Sequence, residues 1–191
     1  RDGCRDMADR VDRFVRDTLG RFVEYVPVCP EVECGLPIPR EAMRLVGDPE
    51  SPRLVTQKTG QDHTPRMQAW GLKRMAVLRD EGISGFIFKS RSPSSGMARV
   101  KVYQDSGHPL MSGTGIFARM VMDSFPLLPF EEDGRLNDDR LREHFIERLF
   151  VFHRLRGLCT GERSRSKLID FHTRHKLLIM AHSPKHYREL G

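Results

Sequence analysis

Long hydrophobic runs are missing from this chain of 191 residues. No apolar stretch approaches the roughly 20 residues that a bilayer-spanning helix requires, and the start carries no signal-peptide pattern. Cysteines are few, four at uneven spacing, which excludes the dense pairing of a small secreted disulfide scaffold. A glycine-rich phosphate loop of the Walker type is absent, and Gly113-x-Gly115 lacks the third glycine of a dinucleotide fingerprint. No internal repeat is visible. These absences predict a cytoplasmic protein with no membrane partner and no obligate protein partner. Its thiols are expected to stay reduced, as buried side chains or as soft metal ligands. The chain begins at Arg1 rather than Met and stops at Gly191, soon after a helical pattern, so a fragment is expected at both ends.

What is present describes a folded chain. Apolar residues make up 38% and charged residues 30%, enough for one good core and a second, smaller domain. The net charge is +6 and unevenly spread. Residues 136–191 carry 12 Lys and Arg against 7 Asp and Glu, and six of the eight histidines. A basic segment suits a polyanion, most simply nucleic acid; a solvated helical face explains the charge equally well.

Helical spacing of Val11, Phe14, Val15, Leu19 and Phe22 predicts an amphipathic helix ending near Gly20. Residues 25–28 read as the end of a buried strand, stopped by Pro30. One or two helical turns are expected over 41–46, turns over 47–52 and a weak strand over 54–58. Asp62-His63-Thr64-Pro65 is a helix start, with Asp62 or Thr64 as cap and Pro65 at the first helical position. That helix runs to about Glu81. Short apolar runs at 85–89 and 100–103 predict strands, and Gly113-Thr114-Gly115 opens a helix to about Phe125. Alternation of this kind predicts an α/β fold with a mostly parallel sheet and Rossmann-like layering. Residues 126–135 read as a linker. Helix faces at 141–152 and 168–180 then predict a small, incomplete all-α domain. The expected domains are therefore 1–135 and 136–191.

Functional groups in an α/β fold collect in loops beyond strand ends. The stretch from Cys29 to Arg40 is one such loop, with Cys29, Cys34, Glu31, Glu33 and three prolines. The serine-rich stretch from Lys89 to Gly96 is another, and neighbouring strands would face the two together. Cys29 and Cys34 can hold part of an iron–sulfur cluster or a zinc ion, or can be buried thiols. Glu31 is a candidate general acid or base, or a loop carboxylate paired with Arg40. Lys89 with Ser90, Ser92, Ser94 and Ser95 offers donors to an anionic or carbonyl-like group, or forms a polar turn. His172 and His175 are spaced for zinc but lack an acidic third ligand. Cys159 is expected to be structural.

Several motifs together resemble the thiouracil desulfidase family. They are Val26-Pro27-Val28-Cys29-Pro30-Glu31-Val32, Gly35-Leu36, Pro39-Arg40, Gly60-x-Asp62-His63-Thr64, Phe88-Lys89-Ser90-x-Ser92-Pro93-Ser94-x-Gly96-Met97 and Val100-Lys101-Val102-Tyr103. The tail, with Asp170-Phe171-His172-Thr173-Arg174-His175-Lys176 and Ser183-Pro184-Lys185-x-Tyr187, resembles a helical domain fused to that family. The combination is similar to the bacterial tRNA 4-thiouridine desulfidases. The resemblance implies a 4Fe-4S cluster held by three cysteines, with one iron open to the sulfur of a thiocarbonyl base. Water would then replace sulfur without net redox change. An open iron is a soft Lewis acid, and sulfur is the ligand it prefers. The implied substrate is free thiouracil or 4-thiouridine in tRNA, with the helical domain holding the tRNA.

By the same resemblance Cys29 is a cluster ligand, and Cys34, although not part of the family pattern, is a candidate for a missing thiolate. Glu31 and Ser94 handle the water or the ring-nitrogen proton. Lys89 stabilises charge on the thiocarbonyl, and Arg174, Lys176 and Lys185 contact phosphate. The chain departs from the family pattern in three places. Arg1-Asp2-Gly3 is the remnant of a motif whose preceding strand and cysteine are absent, and nearby Cys4 does not match that cysteine's position. Ser95 stands where the family carries cysteine. Cys34 stands where glycine is more frequent. A non-catalytic tRNA-binding protein that has lost its cluster, and a zinc-supported structural module, are therefore the alternative expectations.

Overall fold

The structure, a computed structural model, describes residues 14–104, 106–161 and 164–190. Val11, the remnant at 1–3 and Cys4 lie outside the described residues. The chain divides into two compact units, Arg1–Glu147 and Arg148–Gly191.

The first unit is α/β, with a mixed sheet rather than a mostly parallel one. Strand β1 (Met43–Val46) lies between β2 (Arg53–Thr56), antiparallel to it, and β4 (Val100–Tyr103), parallel to it. Strand β5 (Pro109–Gly113) pairs antiparallel with β4 and closes the order β2-β1-β4-β5. Its proline at the first residue of an edge strand removes no ladder donor that the sheet needs. A separate parallel pair joins β3 (Phe86–Phe88) to β6 (Phe130–Glu132).

Register explains the core. Leu45 stands opposite Leu54 on one side and Val102 on the other, and all three are fully buried. In β4, Val100 and Val102 are buried while Lys101 between them is exposed, the period-2 pattern of a one-sided strand. Helices α2 (Thr64–Asp80) and α3 (Ile116–Ser124) share this core through Met67, Met75, Leu78, Phe117 and Val121. Trp70 and Phe117 meet across them with ring centroids 5.0 Å apart. The start of α2 follows its chemistry. Asp62 Oδ1 accepts the Thr64 N–H at 2.8 Å, and Thr64 Oγ1 accepts the Leu54 N–H at 2.7 Å, tying the helix to β2.

Three expectations fail locally. Residues 25–28 join no ladder; the Tyr25 hydroxyl instead donates to the Val15 carbonyl at 2.5 Å. Residues 43–46 form β1, not helical turns, because pairing on both sides buries Leu45 completely, a tertiary gain that local propensity does not register. The stretch at 126–135 is no plain linker: it contains β6, whose three residues need β3, far away in sequence, to exist as a strand.

The described part of the second unit is helical. It comprises the remainder of α4 (Asp139–Thr160), α5 (Arg165–His182) and α6 (Pro184–Leu190). Ser164 caps α5 by accepting the Lys167 N–H, and Pro184 opens α6 where its missing N–H is harmless. Among the described residues no helix is long and apolar enough to cross a membrane.

Candidate active site

Cys29, itself extended, caps a single helical turn, α1 (Pro30–Glu33). Pro30 sets the turn's backbone angle, and Glu33 closes it, its Oε1 accepting the Cys29 N–H at 2.8 Å. Glu33 in turn lies 3.6 Å from Nε of Arg74 on α2, and Arg74 reaches Glu81 at 3.3 Å. The cysteine turn is thus held to the long helix by a largely buried guanidinium.

Both thiols are free and buried, and both converge on Glu31. The Cys29 thiol donates to Glu31 Oε2 at 3.5 Å, and the Cys34 thiol to the Glu31 carbonyl at 3.4 Å. Burial pushes both thiols above the ordinary cysteine range, and the Glu31 carboxylate adds to the rise. Backbone donors and the guanidiniums of Arg40 and, at Cys34, Arg66 oppose it.

The serine loop reaches the same carboxylate. The Ser94 hydroxyl, completely buried, donates to Glu31 Oε1. Ser92 Oγ accepts the N–H groups of Ser94 and Ser95 at 3.3 and 3.2 Å and lies 2.9 Å from Ser94 Oγ. With the Ser94 proton committed to Glu31, Ser92 is the donor in that last pair. Arg40 completes the surroundings at 3.7 Å from Glu31 Oε2.

Ser94 is pinned from behind. Its carbonyl accepts the N–H groups of Phe117 and Ala118, the first turn of α3, at 2.9 and 3.1 Å. A Cβ on Gly115 would stand 2.5 Å from the Ser94 carbonyl carbon and oxygen. In Gly113-x-Gly115, a poor nucleotide signature, Gly115 therefore serves close approach of helix to loop, while Gly113 serves close packing of β5 against Val102 of β4. Glu132 of β6, itself buried, holds the loop's exit by accepting the Met97 and Ala98 N–H groups at 2.8 and 3.4 Å.

Cys29, Cys34, Glu31 and Ser94 are thus brought together. Lys89 is not in that network: half-exposed, its ammonium bonds the Asp133 carboxylate, which also accepts the Ser90 N–H at 2.9 Å. Burial works to raise the Asp133 carboxyl, but the bonds from Lys89 and Ser90 prevail and hold it below the usual range. The three basic residues of the tail each have a local partner. Arg174 bonds Asp170 with Nε and Nη2, both at 3.0 Å. Lys185 lies 3.8 Å from Glu189. Lys176 sits 5.4 Å from the centre of the Tyr187 ring. His175 is buried, with Nδ1 donating to the Phe171 carbonyl at 2.7 Å, rather than solvated beside His172. Cys159 is exposed. Glu33, Arg74, Glu132 and Asp133 escaped the sequence reading, since each acts through a partner distant in the chain or through backbone.

The 2-thiouracil desulfurase family model matches residues 3–133, over two thirds of the chain. The chain belongs to the 2-thiouracil desulfurase family. A solved 4Fe-4S-dependent thiouracil desulfidase, TudS, shares its fold at a TM-score of 0.54 and 23% identity, covering 72% of this chain and 83% of that one. The uncharacterised protein YbgA of Escherichia coli K12 is 38% identical over 56 residues, 29% of this chain. The match spans about a third (33%) of that curated relative's length.

Proposed function

We propose that this chain is a desulfidase that exchanges the sulfur of a thiolated pyrimidine for oxygen, acting on 4-thiouridine in tRNA or on free thiouracil. The observation that carries the reading is the meeting of Cys29, Glu31 and Ser94 at one carboxylate. Family membership of residues 3–133 supports it. The reaction is a hydrolysis in sum: the thiocarbonyl carbon gains the oxygen of water and sulfur leaves as hydrogen sulfide.

The residues fit a 4Fe-4S group in kind and only partly in number. Cys29 and Cys34 are buried, free thiols on one turn, the soft donors such a group takes. Among the described residues no group of three cysteine, histidine or acidic side chains is placed to hold a metal. Cys29 and Cys34 would hold the cluster; the third thiolate that the family pattern implies is missing from this chain, since Cys4 does not match its position. When bound, the cluster supplies an open iron that takes sulfur in preference to oxygen.

The chain's own residues do the rest. Glu31 Oε2 faces the Cys29 thiol and can accept a proton from water beside it, with Arg40 3.7 Å from the same oxygen. Ser94, fed by Ser92, holds Glu31 Oε1 and can pass a proton to the departing side of the base. Lys89 and Asp133 form the outer wall of the serine loop. Arg174, Lys176 and Lys185 are the candidate phosphate contacts of the helical unit, in line with a tRNA substrate.

Anaerobically reconstituted protein is expected to bleach the near-ultraviolet absorption of 4-thiouracil or of tRNA carrying 4-thiouridine, with release of sulfide. Absence of turnover on either substrate contradicts the reading. The shortfall of thiols favours a second reading, an RNA-binding protein without a cluster; RNA affinity that falls steeply with salt, with no iron and no turnover, would identify it.

A further inference from the structure

We infer that Glu132 and Asp133, adjacent acids at the end of β6, are positioning residues for the desulfidation: they clamp the two ends of the serine loop and so hold the Ser94 hydroxyl on Glu31. The inference rests on the desulfidase reading and concerns how that same site is set.

The topology brings the clamp to the loop. Strands β3 and β6 run parallel with Phe88 opposite Glu132, so both end on the same side of the pair. There β3 passes directly into Lys89 and the serine loop, at the kind of strand end where an α/β fold gathers functional groups. Asp133 takes the entry. Its N–H donates to the Phe88 carbonyl at 2.9 Å, and its Oδ1 accepts the Ser90 N–H at 2.9 Å. Glu132 takes the exit, with Oε1 accepting the N–H groups of Met97 and Ala98 at 2.8 and 3.4 Å. Ser94 lies between the two grips.

Charge sets Glu132 apart from its neighbours. Glu131, Glu132 and Asp133 are consecutive carboxylates. Glu131 is balanced by Arg135 at 2.6 Å and Asp133 by Lys89. Glu132 is only 7% exposed and forms no ion pair among the described residues. A carboxylate out of water without a paired cation is costly, and an amide could fill the same place with less loss of solvation. What the charge adds is a stronger hold: N–H bonds to a carboxylate are shorter and about twice as strong as those to a neutral acceptor. That hold falls on the loop whose buried hydroxyl meets Glu31. A shift of about 1 Å in such a group can cost turnover about a hundredfold.

The test measures kcat, KM, bound iron, Tm and amide hydrogen exchange in the reconstituted full chain, with 4-thiouracil or tRNA carrying 4-thiouridine as substrate. Glu132→Gln keeps the acceptor oxygen and gives up the buried charge. Its Tm is expected to hold or rise while kcat falls about tenfold, the scale separating a charged from a neutral acceptor, with KM and bound iron unchanged. A glutamate serving stability alone would instead lower Tm and leave the kcat of the folded protein intact. Glu132→Ala should lower kcat further and speed exchange at Met97, Ala98 and Ser94. In a Ser94→Ala background neither substitution should cost more turnover, because the clamp acts through Ser94. Parental kcat in Glu132→Gln overturns the clamp, as do losses that add in full to that of Ser94→Ala, or iron lost together with activity. No turnover of any substrate by the parent chain overturns the desulfidase reading alone. Exchange in Glu132→Ala then decides on the clamp: faster exchange at Ser94 supports it, and exchange unchanged from the parent overturns it.

Discussion

Glu31 is the residue at which the cysteine turn and the serine loop meet. It takes hydrogen bonds from a thiol through one carboxylate oxygen and a buried serine through the other, and its backbone carbonyl receives the second thiol. Removing only its charge separates chemistry from architecture. Glu31→Gln keeps the shape and is expected to lower kcat by about 10²–10⁴, the usual range for a general acid or base, with bound iron unchanged; equal activity would remove Glu31 from the mechanism. Asp133 makes a different prediction. Its folded pKa is depressed by Lys89 and Ser90, so its stabilisation is complete above the unfolded value near pH 4 and is lost as pH falls through the lower folded value. Asp133→Asn should cost about 1–2 kcal/mol at pH 7, and the difference from the parent should shrink in acid. Chemical denaturation at pH 7 and at pH 3 checks this, and a penalty independent of pH contradicts it.

At the scale of elements, the site is made by the join between loop and helix. The first turn of α3 donates to the Ser94 carbonyl, and Gly115 permits the approach. Gly115→Ala must push the serine loop away and is expected to cost about 1–3 kcal/mol through overpacking, with loss of turnover beyond what the stability change explains. Thermal unfolding and kcat measured together test it; a variant with parental Tm and kcat sinks the claim that this contact sets Ser94. The elements legible in sequence were those with strong punctuation. Pro65 and the Asp62 turn marked α2, Gly113 to Gly115 marked α3, and helical spacing marked α4 and α5. Strand β1 was misread because four residues carry too little pattern, and its reason for being a strand is the partner on each side. Strand β6 hid in a stretch of prolines, acids and glycine for the same reason. Cys29, Glu31 and Ser94 were legible as a group because long motifs carry them. Glu33, Arg74 and Glu132 were not, because each is defined by a bond to backbone or to a helix far along the chain.

For the whole molecule, the mixed sheet and the paired β3 and β6 bring the cysteine turn and the serine loop to one carboxylate without the neighbouring strands that were expected to face them together. The helical unit keeps a basic composition, yet its Arg174, Lys176 and Lys185 are locally engaged, so any phosphate must compete with those partners. The buried thiols are proposed to serve an iron–sulfur desulfidase rather than a zinc module or a bare RNA-binding fold. Anaerobic reconstitution with iron and sulfide, followed by metal and sulfide analysis per chain, tests it most directly. About four irons with matching sulfide are expected, lost in Cys29→Ser and in Cys34→Ser. Zinc in place of iron, or no metal at all, contradicts it.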